Sequence, residues 1–350
     1  MIKEIESNKK YWLVRTFSGK YYEHFIQNKY IAIGWNGISD LKLINKAQKD
    51  AKAKETLYNK AKELYIKKDN EQPGRIISPI LRFINEMNTG DIVIIPSKNS
   101  DTIHFGIIKG NPKIVQDVIN LEEGLEPLHK QRTVEWVTSR DKEDLDLHLF
   151  RMLNSHYAIS NVDDYAEYID RTMYSLYVKG DKAHLVIKVG KKGDYTGTEI
   201  PDLINSFLGT IDLYNEVSND SVKKSDVKMK ISLQSEGFVL FSGCVETITI
   251  VLGIAVALCG GGFKFNRSGE NKDVSTEVTT SGLIPTIWDR VLATKDQKHR
   301  HMIEEKEQNF RHMVSALDIT LPPLSEIGEN SITEDSAAEK SNNKGEHKRG

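Results

Sequence analysis

Residue patterns that could bind a metal ion or form a nucleophile are sparse in this chain. His301 and Glu305 lie four residues apart in a charged stretch, a spacing that lets both side chains reach one metal ion from the same helical face. A histidine on a polar helix more commonly faces solvent. The sequence also lacks a glycine-rich phosphate loop, a clustered cysteine pair and a serine nucleophile elbow. We therefore predict no catalytic residues, no metal site and no cofactor, and we favour a binding protein over an enzyme.

Acids and lysines also alternate near the middle of the chain, where Asp226, Lys228 and Lys230 could serve the metal-assisted cleavage of a phosphodiester. A nuclease site of this kind needs an acid at the end of a preceding strand, and the sequence offers none at a suitable distance. An exposed strand face is the preferred interpretation, and a nuclease is the alternative.

The composition is that of a globular protein large enough for about two domains. The 350 residues carry a net charge of -2, with 28% charged and 39% hydrophobic residues. A charge this close to neutral gives no overall attraction to nucleic acid or to anionic lipid, so either partner would need a local patch. The stretch MIKEIESNKKYW at the start has no apolar core of signal-peptide length, which argues against secretion by that route. Cys244 and Cys259 flank or lie inside an apolar segment, where thiols behave as small hydrophobes, and this predicts a reducing cytosol around most of the chain.

The stretch from Val245 to Phe263 is almost continuously apolar, and Glu246 is its one charged residue. As a helix of about 19 residues it would measure roughly 28 Å, close to the thickness of a bilayer's hydrocarbon core. A helix buried in a protein core, or two buried strands broken at Gly253, fits the same residues. The sequence leaves these alternatives open, so we predict a protein that is cytoplasmic or associated with the inner membrane.

Periodicity divides the chain into five regions of an α+β protein. A first domain over residues 1–174 combines short strands with amphipathic helices, and a small αβ unit follows over 175–236. The apolar segment occupies 237–266, a strand and a charged helix occupy 267–325, and a polar tail over 326–350 has too few apolar residues to fold. Within the first domain the pattern predicts a helix over 44–68 and strands at DIVIIPS, HFGIIKG and RTVEWV.

Five short motifs of the first domain occur in a characteristic order. They are W-x-V-R at Trp12 to Arg15, I-G-W at Ile33 to Trp35, G-D-x-V at Gly90 to Val93, F-G-I-I at Phe105 to Ile108 and R-x-V-x-W at Arg132 to Trp136. With these motifs in this order, residues 11–174 resemble the PUA-like, or EVE-like, domain that is attached to Mrr-type restriction proteins. The resemblance implies a β-barrel-like sheet with flanking helices that holds one nucleobase, often a modified one, in an aromatic pocket.

A base that has left its stack is bound by aromatic faces and by polar groups that read its edge. We expect Trp35 to project from the turn after Gly34, with Tyr11, Phe105 and Trp136 completing a cage. Trp136 could instead fill the core, which is the interpretation we prefer for Trp12. The expected polar partners are Asn36 and Ser97 for the base edge, Arg15 and Arg132 for a phosphate or for stacking, and the basic stretch His129, Lys130 and Arg132 for a backbone.

These features predict a sensor with no catalytic activity. The first domain would bind a nucleobase or nucleotide, in nucleic acid or free, and couple it to a membrane-associated C-terminal region. This architecture resembles that of prokaryotic antiphage effectors, by analogy alone. The alternative is a soluble modification-dependent nuclease or restriction component whose catalytic residues are not recognised. A homo-oligomer is compatible with either function.

Overall fold

A computed structural model describes residues 2–67, 72–118, 121, 124–218, 221–232, 237–259, 264–267, 274–277 and 297–322 of the chain. The chain forms two compact units. The first unit runs from Ile5 to Ser175, and the second comprises Met1–Glu4 and Leu176–Gly350. Each unit combines a sheet with helices, which confirms the predicted α+β class. The predicted polar tail over 326–350 lies outside the described residues.

Short strands dominate the first unit. After β1 (Lys3–Ile5), which joins the sheet of the second unit, they are β2 (Tyr11–Val14), β3 (Tyr30–Ile33), β4 (Ile92–Pro96), β5 (Thr102–Ile108), β6 (Lys113–Ile114), β7 (Lys130–Asp141) and β8 (Ile159–Asn161). Their order is β3-β7-β5-β4-β2-β8, with β6 beside β7. β2 and β4 run parallel, and the other neighbours are antiparallel. The path is open, because β3 and β8 do not pair with each other among the described residues.

Six helices accompany this sheet in the described part of the first unit. They are α1 (Tyr22–Gln27), α2 (Leu41–Lys46), α3 (Ala51–Tyr65), α4 (Gly74–Leu81), α5 (Leu147–Leu153) and α6 (Ala166–Met173). The single helix predicted over 44–68 is wrong, because α2 ends and α3 begins anew at Asp50. The Asp50 carboxylate accepts the backbone N–H of Lys52 at 2.8 Å, which stabilises the start of α3. Helix α4 continues as one π-helical turn over Arg82–Glu86.

Both faces of the first sheet are buried. Trp12 and Val14 belong to a hydrophobic core that also takes side chains from α1, α2, α3 and α4. Leu13 points to the opposite face and is also fully buried. Successive side chains of a strand point to opposite faces of the sheet. Because both faces are covered here, the hydropathy of a residue does not show to which face its side chain points.

The described part of the second unit contains a six-stranded sheet packed against three helices. The strands are β1, β9 (Leu176–Lys179), β10 (Lys182–Val189), β11 (Lys228–Ser232), β12 (Gly237–Gly243) and β15 (Ile319–Thr320), in the order β1-β9-β10-β12-β11 with β15 beside β10. A separate hairpin contains β13 (Lys264–Arg267) and β14 (Val274–Glu277). The helices are α7 (Glu199–Ser218), α8 (Val245–Leu258) and α9 (Gln297–Ala316). Helices α7, α8 and α9 share one hydrophobic core with β10 and β12.

The apolar segment forms α8, which lies inside this core. Its buried residues include Ile248, Val251, Leu252, Ala255 and Val256. The helix ends at Leu258, whose carbonyl accepts a hydrogen bond from Arg311 Nε at 2.9 Å. It therefore has 14 residues, a length of about 21 Å. Of the alternatives that the sequence left open for the apolar segment, the structure has the helix buried in a protein core.

No helix in the described ranges is both long enough and apolar enough to cross a membrane. The predicted membrane span is therefore not supported.

Candidate functional site

Two members of the predicted aromatic cage lie in the interior of the first unit. Tyr11 is only 1% exposed, and its hydroxyl donates a hydrogen bond to Asp170 Oδ1 at 2.6 Å. Phe105 is completely buried on β5. Neither ring can line an open pocket, so the cage does not form as predicted. The physical reason is that the sheet is covered on both faces.

The two arginines of the predicted site bind backbone carbonyls. Arg15 Nε donates to the carbonyl of Ser155 at 2.9 Å, just beyond α5, and burial lowers the pKa of Arg15. Arg132 is 1% exposed. It donates to the carbonyls of Phe83 (2.7 Å), Ile84 (3.1 Å), Met87 (2.7 Å) and Gly110 (3.1 Å). Burial lowers the pKa of Arg132 to about 10. These guanidinium groups serve the fold and are not positioned to meet a phosphate.

The predicted polar partners are also engaged locally. Asn36 Nδ2 donates to the carbonyl of Pro127 at 2.7 Å, and its Oδ1 accepts the N–H of His129 at 3.2 Å. Ser97 Oγ accepts the N–H of Thr102 at 2.8 Å and so closes the turn between β4 and β5. Trp35 has a left-handed backbone with φ of 58° and packs partly against the core. The hydrogen bonds of Asn36 and Ser97 shape loops, and Trp35 is half-buried.

Lys130, expected on an exposed basic edge, is completely buried at the start of β7. Its Nζ donates to the carbonyl of Trp35 at 2.8 Å, and no acidic partner lies within ion-pair distance among the described residues. Burial lowers the pKa of Lys130 from 10.5 to about 8. A difference of this size corresponds to about 3 kcal/mol against the charged form.

Lys130→Met is expected to stabilise the first unit by about 1–2 kcal/mol at pH 7, because the lost hydrogen bond offsets part of the relieved desolvation. In the wild type, the unfolded lysine stays protonated up to about pH 10.5 while the folded one loses its proton near 8. Unfolding therefore takes up a proton in this window, and wild-type stability rises with pH from 8 to 10. The variant should lack this rise in urea unfolding. An equal rise in both proteins would contradict the assignment.

The structure instead brings Trp136 together with two residues that the sequence did not single out. His104 Nδ1 lies 2.5 Å from the hydroxyl of Tyr22, and the rings of His104 and Trp136 meet edge to face at 5.9 Å. Trp136 also donates its indole N–H to the carbonyl of Phe25 at 3.1 Å. Ser139 is the cross-strand partner of His104 and is exposed. We call Tyr22, His104, Trp136 and Ser139 the histidine face.

A glycine makes this arrangement sterically accessible. Gly106 is paired with Trp136 beside a bulge in β7, where Val137 is the unpaired extra residue. A Cβ atom on Gly106 would lie 2.7 Å from Trp136 Cε3 and 2.6 Å from a methyl group of Val134. Any side chain there would displace the indole ring. The glycine of the F-G-I-I motif is therefore explained by the close approach of the Trp136 and Val134 side chains.

The protonation states within the histidine face follow from its burial. Burial, followed by the charges of Glu23 and Asp141, raises the pKa of Tyr22 to about 12, and burial lowers the pKa of His104. At neutral pH the tyrosine keeps its proton and the imidazole is neutral. In the arrangement where the hydroxyl donates to Nδ1, the imidazole proton sits on Nε2. No residue in the described ranges accepts a hydrogen bond from Nε2, so in that tautomer the histidine offers one donor.

Two loops that lead into the histidine face hold strained backbone. The loop 16–20 runs directly into Tyr22, and the turn 97–101 runs into β5. We call their left-handed residues, Phe17, Ser18, Gly19, Asn99 and Ser100, the left-handed rim. A left-handed conformation costs a residue other than glycine about 1–2 kcal/mol. Four of the seven such residues in the described part of the chain lie in this rim.

Contacts between the two loops maintain the strain. Thr16 Oγ1 donates to the carbonyl of Pro96 at 2.6 Å. A Cβ on Gly19 would lie 2.4 Å from the backbone N of Lys98, so the two backbones approach as closely as glycine allows. The ring of Phe17 lies 5.0 Å from that of Tyr21 and remains 43% exposed. Strain that the surroundings hold in place is characteristic of ligand-binding loops.

The metal and nuclease patterns do not assemble into a site. His301 Nδ1 lies 3.6 Å from a carboxylate oxygen of Glu304, and both side chains are largely exposed. Asp226 ends a short turn before β11, where Lys228 and Lys230 are exposed. Within the described residues, no group of three or more His, Cys, Asp or Glu side chains could hold a metal ion.

The histidine face and the left-handed rim both lie within the part of the chain that matches a known family model. Residues 10–156 match the model of a domain of unknown function, DUF8426. No curated protein and no solved structure matches the chain. The matched range lies within the first unit and includes all eight residues of the predicted site.

Proposed function

We propose that the first unit is a PUA-like reader that binds a single nucleobase at the histidine face. The observation that carries the proposal is the neutral imidazole of His104. Tyr22 holds Nδ1 in a hydrogen bond, Trp136 packs at its edge, and Nε2 has no hydrogen-bond partner among the described residues. A donor of fixed direction beside an aromatic ring is the combination that binds an unstacked base.

The energetic requirements are consistent with this site. Taking a base out of its stack costs a few kcal/mol, and stacking on an aromatic side chain returns about 1–3 kcal/mol. The imidazole donor and the Ser139 hydroxyl would have to contribute the remainder. Because Tyr22 holds the imidazole in place before the ligand arrives, little ordering cost is left for binding. The ordered motifs from Trp12 to Trp136 support the same ligand class by resemblance.

His104→Ala is expected to weaken binding of labelled single-stranded DNA or RNA at least about tenfold, or ~1.4 kcal/mol, in fluorescence anisotropy titrations. Oligonucleotides with plain and with modified bases should both be tested. Tyr22→Phe should weaken binding less, by about threefold, since the aromatic ring remains and only the hydrogen bond to His104 Nδ1 is lost. The matched control is His148→Ala, which removes an exposed imidazole from α5 and should leave binding unchanged. Unaltered affinity in His104→Ala protein that melts like the wild type would refute the site.

The second unit has no membrane role in this proposal, because the apolar helix that suggested one lies in its core. Its part would be to respond to the occupied first unit, as the antiphage analogy suggests. The nuclease alternative has no supporting geometry in the described residues.

A further inference from the structure

The left-handed rim carries one exposed aromatic ring, that of Phe17, and each of its two loops also has an exposed lysine. Lys20 follows Gly19 on one loop, and Lys98 precedes Asn99 on the other. Neither ammonium group has an ion-pair partner in the part of the chain that the structure describes. Phe17 lies against Gly34, where a Cβ would be 3.6 Å from its Cζ, and against the ring of Tyr21, and 43% of its surface is exposed. A single base bound at the histidine face would not contact Phe17, Lys20 or Lys98.

We infer that the left-handed rim binds the strand next to the base held at the histidine face, so that the ligand is a single-stranded nucleic acid and not a free nucleotide. This inference rests on the proposed function. Phe17 would stack on the neighbouring base, and Lys20 and Lys98 would contact phosphates. An aromatic ring that stacks on a base needs an unstacked face, which a single strand offers and an intact duplex does not.

The charges of the two loops determine which contact dominates. Two exposed carboxylates are near the lysines in sequence, Glu23 in the first turn of α1 and Asp101 at the end of the turn 97–101. With two cations and two anions, the rim attracts a polyanion only weakly, so stacking on Phe17 must contribute most of the affinity. Each phosphate contact on a single strand contributes about 0.7 to the slope of log affinity against log salt concentration. We therefore expect a shallow salt dependence, with a slope of about 1.4 for two lysines.

The rigidity of the rim supports a recognition role. The bond from Thr16 to Pro96 and the close approach of Gly19 to Lys98 fix the two loops relative to each other. The Phe17 ring and both lysines are therefore presented without first being ordered by the ligand, which lowers the entropic cost of binding.

The test compares a labelled oligonucleotide with the mononucleotides of the same bases, using the full chain. Phe17→Gly is the main variant, because a left-handed φ costs glycine nothing and this gain offsets the loss of the ring contact with Tyr21. We expect it to bind the oligonucleotide about tenfold more weakly and the mononucleotides unchanged. Lys20→Gln with Lys98→Gln should flatten the salt dependence by about 1.4. Matched controls are Tyr157→Ala, an aromatic that is 70% exposed, and Lys54→Gln with Lys62→Gln on the exposed side of α3.

The outcomes separate this inference from the proposed function. Loss of oligonucleotide affinity with retained mononucleotide affinity supports the inference. If Phe17→Gly and the lysine variants bind both ligands like the wild type while His104→Ala weakens both, the strand contact is overturned and the base site stands. If the wild type binds neither ligand, both proposals fail.

Discussion

A Val256→Arg variant is expected to lose the folded structure of the second unit at room temperature. Val256 is 6% exposed on α8, in the core that the helix shares with the sheet. A charged side chain placed there has no partner, and the cost of burying it exceeds about 4 kcal/mol. This is a large part of the roughly 5–15 kcal/mol that stabilises a typical domain. Circular dichroism should show a partial loss of helix.

Limited proteolysis with mass spectrometry localises the damage. Cleavage should appear within α7, α8 and α9, while a fragment that covers the first unit stays protected. The control is Met229→Arg, which introduces the same charge at a side chain that is 40% exposed on β11 and should leave the protease pattern unchanged. A Val256→Arg protein that resists protease like the wild type would show that α8 is not a core helix.

Arg132→Met is expected to reduce the free energy of unfolding of the first unit by about 3 kcal/mol, in contrast to the stabilising Lys130→Met. Both replace a buried cation on β7 by an apolar side chain. They differ because Arg132 satisfies four backbone carbonyls and Lys130 satisfies one. Carbonyls left buried without a donor cost about 1–3 kcal/mol each, and relieved desolvation offsets part of that sum.

Urea unfolding, monitored by tryptophan fluorescence, compares the two variants directly. Arg132→Lys should recover only a minor part of the loss, since an ammonium group lacks the planar set of donors that spans four carbonyls. If Arg132→Met and Lys130→Met shift the midpoint in the same direction, the count of satisfied carbonyls does not determine the stability of this region.

The sequence predicted well those elements whose hydrophobic pattern has one interpretation. Leu203, Phe207, Ile211 and Tyr214 have the spacing of one face of an amphipathic helix, and these side chains are the buried face of α7. The alternating stretch AHLVIKV is typical of a strand, and it forms β10. The apolar segment was ambiguous because composition alone does not distinguish hydrocarbon from a protein core. The position of Leu258 as the last helical residue depends on tertiary contacts, including the bond from Arg311.

The candidate site was less predictable, for two physical reasons. Tyr11 and Phe105 are aromatic residues on strands, and only the helices on the second face of the sheet decide that they are buried. Charged residues on a strand are expected at the surface, yet Arg132 is buried because the end of α4 and its π-helical turn leave carbonyls that need donors. The pairing of Tyr22 with His104 connects segments distant in sequence. A signal was present in I-H-F-G, where a histidine stands two residues before a glycine that faces a tryptophan.

The pairing of β15 with β10 has a consequence for the order in which the chain folds during synthesis. Val189 lies beside Ile319 and Lys188 beside Thr320, so the second sheet includes a strand made long after its neighbour. Contacts this distant in sequence slow folding, and domains generally fold as units as they leave the ribosome. Strand β1 must likewise wait for β9. The first unit can thus complete its fold on the nascent chain, while β10 stays unpaired along part of its edge until translation has passed residue 320.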